Sequence, residues 1–175
     1  MPEDPQAVAQ RSAAAMYEAD LASRHLGIQI EHVTPGHATA RMQVRDTMLN
    51  GHDICHGGYV FLLADTAFAF ACNTYGPVTV AAACDVVFLA PAHLGDELIA
   101  EAAERHRHGR SGIYDVTVRL PDTTVIAEFR GLSRTLRQRC PHTPVLHCPP
   151  QQRHHQPPSR CKAPGPVAQA VRAHP

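Results

Sequence analysis

The residues able to do chemistry are concentrated in NGHDICHGGYVFLLADTAFAFACNTYG at positions 50–76. A polar loop leads to His56, Gly57 and Gly58, and a long apolar run follows that is broken by one carboxylate, Asp65. An ionised carboxylate among apolar neighbours is costly unless something pairs with it or water reaches it. Bare glycines at a helix start leave N–H groups free at the positive end of the helix dipole, a ready site for a developing oxyanion. A polarising donor and a carboxylate base or nucleophile are the two parts that acyl-transfer hydrolysis needs. The competing reading makes Asp65 structural, bonded to a backbone group and of no chemical use.

Distance then constrains the architecture. Gly57 and Asp65 are eight residues apart, which on one helix is about 12 Å at ~1.5 Å per residue. One substrate carbonyl cannot touch both. If they act together, the carboxylate comes from a second copy of the helix lying antiparallel beside the first, as a two-fold dimer provides.

Residues 58–72 are apolar on every side, which predicts a helix buried all round and too short to span a bilayer. Asn73, Gly76 and Pro77 mark its end. Ala64, Ala67 and Ala71 form a ridge that a sheet can approach closely, while Asp65 shares a face with Phe61, Leu62, Phe68 and Ala69. Residues 5–24 read as a helix without a strong stripe, on the surface or over the site mouth. Residues 25–33 and 37–44 alternate apolar and polar around a Pro35-Gly36 turn, a hairpin. The polar loop 45–55 delivers Asn50 to the helix start. Four strand-like stretches follow at 78–88, 97–106, 112–120 and 124–133, separated by turn residues. The fold class is α+β, an antiparallel sheet around a buried helix, since strands and helices do not alternate. Ala81, Ala82 and Ala83 would leave room for the helix to lie close.

Asn50, HisGlyGly at 56–58 and LeuAlaAsp at 63–65 together resemble the hotdog-fold acyl-CoA thioesterases of the phenylacetate-degradation type. FLAPAHLGDELIAEA at 88–102, GRSGIYDVTV at 109–118 and AEFRGLSRTL at 127–136 are similar to that family's later strands, so the likeness covers about residues 15–137. It implies a central helix wrapped by the sheet, with active sites at the interface of a homodimer or dimer of dimers. The implied reaction is hydrolysis of acyl-CoA thioesters, of the phenylacetyl-CoA or hydroxyphenylacetyl-CoA class, to free acid and coenzyme A. In that reading Asp65 is base or nucleophile, and the Gly57 N–H, assisted by Gly58, binds the oxyanion. Asn50 orients the reacting water or carbonyl, and His56 shapes the oxyanion loop without transferring protons. Arg110, Ser111 and Gly112 lie near the nucleotide portion of coenzyme A, with Arg130 and Arg134 as weaker candidates.

The same residues carry plainer readings. Asn50-Gly51 is a common turn dipeptide, His56 a helix cap or core histidine, residues 109–112 a solvated hairpin turn, and Arg130 and Arg134 edge-strand charge. The resemblance also leaves open a hotdog enoyl-CoA hydratase or dehydratase, a non-catalytic acyl-CoA-binding sensor in the same groove, and a structural assembly protein.

Size and charge set the frame. With 175 residues and 44% hydrophobic content, the chain suits one core, a domain over 1–137, plus a tail over 138–175. Five of the 16 basic residues and none of the 16 acidic ones lie in the tail, so the body is mildly acidic and gives no reason to expect nucleic acid. No membrane span and no signal pattern appear, and the expected location is cytoplasmic. Cys72 reads as a small buried hydrophobe. His52, Cys55 and His56 imitate a metal site but lack a further ligand, and Cys55 beside His56 is a competing nucleophile. No metal and no bound cofactor are expected, coenzyme A being part of the substrate. The tail has nine prolines, five histidines and three cysteines and no aromatic residue, a composition that does not fold alone. Its abrupt onset near Arg139 also fits out-of-frame translation; resequencing the gene and weighing the intact protein test this, and one clean reading frame with the full tail mass defeats it.

Overall fold

The structure, a computed structural model, describes residues 3–137; the tail and the readings placed on it lie outside the described residues. Asp4 opens helix α1 (Pro5–Ala19) by accepting the Gln6 N–H, with Pro5 in the first turn, where its missing N–H costs nothing. Asp20 then divides the single helix expected over 5–24. It ends α1 and caps α2 (Leu21–Leu26), its carboxylate accepting the Ser23 N–H at 3.0 Å and the Ser23 hydroxyl at 2.6 Å. α1 is tied to strand β1 (Gln29–Thr34) and its approach by Gln6 Nε2 donating to the Val33 carbonyl and the Tyr17 hydroxyl to that of Ile28, both at 2.8 Å. β1 and β2 (His37–Gln43) form the expected hairpin, with Gly36 at φ 78°, a conformation that suits glycine.

A 3₁₀ turn at Asp46–Met48 leads to α3 (Gly57–Cys72), followed by β3 (Thr79–Phe88), β4 (Glu97–His108), β5 (Ser111–Arg119) and β6 (Val125–Thr135). The six strands make one antiparallel sheet in the order β1-β2-β4-β5-β6-β3. This is the expected α+β arrangement, a sheet curled around a helix.

Period two on the strands decides which side chains meet the helix. Ala38 and Ala40 on β2 and Ala100 and Ala102 on β4 are buried, small enough for the equally buried Ala64, Ala67 and Ala71 of α3 to approach. Phe68 needs more room and receives it from Gly131 on β6, where an added methyl would sit 2.7 Å from the ring. Tyr114 on β5 packs edge-to-face on the same ring, with centroids 5.5 Å apart.

Two expectations are corrected. α3 is not buried all round within one chain, because Gly58 is exposed and Leu62, Asp65 and Ala69, at i, i+3, i+7 spacing on one flank, are only half-buried. The run 81–83 does not admit the helix either. β3 is an edge strand and its alanines are exposed; the small residues that do that work are on β2 and β4. That edge also leaves Val80 and Val87 exposed on the outer face and Phe88 on the helix-facing one, apolar surface of the kind that sheet edges cover or pair. Arg130 and Arg134 lie on β6, an inner strand, so the edge-charge reading does not hold for them.

Gly131→Ala should cost roughly 1–3 kcal/mol by overpacking Phe68, seen as a lower urea midpoint with unchanged slope. An unaltered midpoint would show that the ring can move aside freely.

Candidate active site

The loop before α3 is built on short-range pairing. Asn50 donates its N–H to the Ile54 carbonyl at 2.9 Å and accepts from the Asp53 N–H at 3.1 Å, while its side-chain oxygen accepts the His52 N–H at 2.8 Å. That is the turn chemistry of an Asx residue. It engages the amide oxygen and leaves the NH₂ group without a partner among the described residues. Backbone bonds from Cys55 to Ala92 and from His56 to Met48, at 2.8 and 2.9 Å, moor the loop to the body.

His56 is the N-cap of α3, extended at ψ 130°, and its Nδ1 accepts the Gly58 N–H at 3.0 Å. The cap reading of His56 therefore holds, and it engages Gly58: the second of the two expected oxyanion donors already has an acceptor. The Gly57 N–H has none among the described residues. A methyl at Gly57 would lie 3.0 Å from the Phe88 ring, so the aromatic side chain covers the helix start closely and a side chain there would press on it. Around this point a groove of about 490 Å³ opens, bordered by Asn50, Gly57 and the apolar Ile54, Val60, Phe88 and Leu89. A groove of about 390 Å³ between α1 and β1, bordered by Gln10, Tyr17 and Ile30, includes no residue of the 50–58 loop.

Asp65 does not border the groove around Gly57. It is half-buried two turns along α3, and its one side-chain hydrogen bond among the described residues comes from the Cys84 thiol on β3, Sγ to Oδ1 at 3.9 Å. Burial pushes its carboxyl above the ordinary aspartate range, and the Cys84 bond offsets part of that rise. A carboxylate shifted upward in this way has a pKa closer to working pH, which is what general-base chemistry would use. One chain thus brings Asn50 and Gly57 together and holds Asp65 apart, as the eight-residue separation demands.

The 109–112 turn lies at the far end of the sheet. Ser111 pairs with Arg134 near the end of β6, whereas the groove borders Ile126 near its start, eight strand residues or about 26 Å away. Arg110 is exposed and unpaired among the described residues, and Ser111 Oγ accepts from Arg134 at 3.1 Å. Gly112 is buried, and a methyl there would meet Ser133 Oγ at 2.7 Å and the Tyr114 ring at 2.8 Å, so this glycine serves strand packing. Arg130 is engaged with Asp115 at 2.6 Å, an ion pair that holds the Asp115 carboxyl below its usual range. Of the candidate cations, Arg110 and Arg134 have no carboxylate partner among the described residues.

The thiols beside the site are of different kinds. Cys55 is buried, burial pushes its thiol up, and its S–H lies 3.8 Å from the His56 carbonyl, with no bond to the imidazole that would activate it. Cys72 is buried as expected, its thiol pushed up to about 12 mainly by desolvation. Cys84 and Phe88 were not among the predicted site residues. Cys84, Val86 and Phe88 pair with Gly131, Phe129 and Ala127 and share the helix-facing side, a placement that the pairing of β3 with β6 sets and the sequence does not signal.

Residues 52–127 match the Thioesterase superfamily. Acyl-coenzyme A thioesterase PaaI of Escherichia coli K12 is 45% identical over 128 residues, 73% of this chain and 91% of that protein. The chain belongs to the PaaI-type acyl-CoA thioesterases. The solved structure of E. coli PaaI, from the phenylacetic acid degradation operon, superposes with a TM-score of 0.75 at 43% identity, covering 77% of this chain and 97% of the other. A mutant of the phenylacetic acid degradation protein PaaI from Thermus thermophilus follows at 0.63 and 35% identity, with 65% and 97% covered. The fold is therefore the hotdog fold of the PaaI-type thioesterases, as the sequence resemblance implied. Among the described residues no helix is long and apolar enough to cross a membrane.

The raised carboxyl of Asp65 makes a stability prediction. A group whose folded pKa exceeds its unfolded one contributes stability in full below the unfolded pKa and loses it as pH rises through the folded pKa. Asp65→Asn cannot ionise, so its melting temperature should gain on that of the unsubstituted protein as pH is raised from about 4 to about 8. Parallel melting curves for the two proteins across that range would contradict the burial argument.

Proposed function

We propose that this PaaI-type thioesterase hydrolyses acyl-CoA thioesters, of the phenylacetyl-CoA or hydroxyphenylacetyl-CoA class, to the free acid and coenzyme A. The observation that carries the reading is the Gly57 N–H, which stands at the start of a buried helix with no acceptor among the described residues, in an apolar groove beside the Asn50 amide. The thioester carbonyl accepts from this N–H, and the negative charge that develops on its oxygen as the carbonyl carbon is attacked is stabilised there and by the helix dipole. The Asn50 NH₂ orients the reacting water or carbonyl. Asp65 of a second copy either takes the proton from the attacking water or attacks the carbonyl carbon itself, in which case loss of the thiolate leaves a mixed anhydride that water then cleaves to the free acid and the regenerated carboxylate. The carbon–sulfur bond breaks with its electron pair leaving on sulfur, and a thiolate is a good enough leaving group to need no strong general acid. No metal and no bound cofactor has a step in this scheme.

One two-fold axis supports three features of the chain at once. A second copy set antiparallel along β3 meets the open edge of the sheet, with Phe88 exposed on its helix-facing side, and the half-open flank of α3. It brings Asp65 of one helix to Gly57 of the other. It also carries Arg110 and Arg134 from the far end of one sheet toward the groove of its neighbour, where they meet the phosphates of coenzyme A. The phenylacetyl class is supported by the names of the relatives and by the Phe88 ring in the groove wall.

Thiol release from a panel of acyl-CoA thioesters tests the reaction, and Asp65→Ala should lower it by about 10²–10⁴-fold. Co-expression of Asp65→Asn with Asn50→Ala tests the shared site. Each variant alone should be nearly inactive, and a random mixture of dimers should recover about a quarter of full activity, since half the dimers are mixed and each of those holds one intact site. No recovery would place Asp65 and Asn50 of one site in the same chain.

A further inference from the structure

We infer that Cys84 is a positioning residue for the hydrolysis: its S–H holds Asp65 Oδ1, aiming the carboxylate and favouring its ionised form. The inference rests on the reading of Asp65 as the reacting carboxylate. Four observations lead to it. Cys84 Sγ lies 3.9 Å from Oδ1 and is the one side-chain donor to Asp65 among the described residues. Cys84 faces the helix because of a bulge. β3 and β6 pair Ala81 with Ser133 and then Ala83 with Leu132, so Ala82 is an extra residue that moves Cys84 opposite Gly131. Without the extra residue Cys84 would stand opposite Arg130 on the outer face, since a one-residue slip reverses every side chain; bulges re-aim side chains beside sites in this way. Gly131 has no side chain, and the space above it holds the Phe68 ring of α3, three residues after Asp65. The other side chains that β3 presents to the helix here, Val86 and Phe88, are apolar and offer Asp65 no donor.

Among the described residues no other ionisable side chain donates a hydrogen bond to Asp65. On α3 itself Cys72 follows two turns later, its thiol pushed up to about 12 and therefore neutral. β5 faces the helix with Tyr114, whose phenol burial and Glu104 keep protonated, and with Val116 and Val118. β2 and β4 meet it with alanines, Met42 and Leu98, β6 with Phe129 and Gly131, and α2 through Ser23 against Thr66. The coupling is reciprocal, since the Asp65 carboxylate in turn pushes the Cys84 thiol up after burial has done so. Cys84 therefore stays an S–H donor and does not become a competing thiolate.

The test is kcat/KM against pH for thiol release from phenylacetyl-CoA by the full chain and by Cys84→Ala, Cys84→Ser and Asp65→Asn. Without the donor, Asp65 is harder to ionise, so the acid limb of Cys84→Ala moves to higher pH and the rate there falls about two- to fivefold, with a smaller change on the plateau. Cys84→Ser, which restores an O–H donor, should return the limb to its original place. A Cys84→Ala profile that superimposes on the original, a loss uniform in pH, or a serine variant that fails to restore the limb would each overturn the inference. These outcomes are distinct from failure of the underlying reading, which is full activity of Asp65→Asn or no thiol release by the unsubstituted chain.

Discussion

The constraint on which this structure depends is the rigidity of one helix. Hydrogen bonding sets the rise of α3, so Gly57 at its tip and Asp65 two turns along it are held about 12 Å apart. A flexible loop could fold a carboxylate back onto a nearby N–H, but a packed helix cannot. The packing is what makes the rod stiff: alanines on α3 meet alanines on β2 and β4, and Phe68 stands over Gly131 against Tyr114. Every residue of the candidate site takes its place relative to that rod, and if Gly57 and Asp65 act on one carbonyl its stiffness requires a second copy of the helix.

The tip of the rod shows how a single cap sorts two neighbouring donors. Helix starts leave several N–H groups without intrahelical partners. His56 Nδ1 accepts from Gly58 and leaves Gly57 open, so a capped N–H and one without an acceptor among the described residues stand one residue apart. Phe88 then lies over Gly57, and Ile54, Val60 and Leu89 make the rest of the groove apolar. A water-poor groove strengthens whatever electrostatic interaction the remaining N–H makes. The same reasoning applies at Asp65, where burial raises the cost of the ionised form and the Cys84 thiol lowers part of it.

The two sheet edges are treated differently. At β1 the first helix is fastened by Gln6 and Tyr17 to backbone carbonyls, so that edge is covered from within the chain. At β3 nothing in the described residues covers the exposed apolar side chains, of which Phe88 lies on the side of the open α3 flank. The uncovered apolar surface thus lies on the side of the sheet that carries Asp65 and Cys84, away from α1.

Much of this is legible in the amino-acid order alone. The apolar run with its terminal signals delimits α3 to within a residue, because helix ends need residues such as His56, Asn73 and Gly76. The alternation of the strands sets the α+β fold, and the rise per residue alone requires Asp65 and Gly57 to sit apart. Other properties belong to tertiary contact and leave no mark in local sequence. That β3 is an edge, with the exposed run 81–83, depends on strand order, a long-range property. That Gly112 is a packing residue depends on Ser133 and Tyr114, which the folding of the sheet brings against it. Arg130 is engaged by Asp115 across the sheet. The Cys84 thiol reaches Asp65 only through a one-residue bulge whose effect appears once β3 is laid against β6. Sequence by itself determined the periodicities, the caps and the distance along the helix, because these are local; which face, which neighbour and which edge were decided by pairing between segments far apart in the chain.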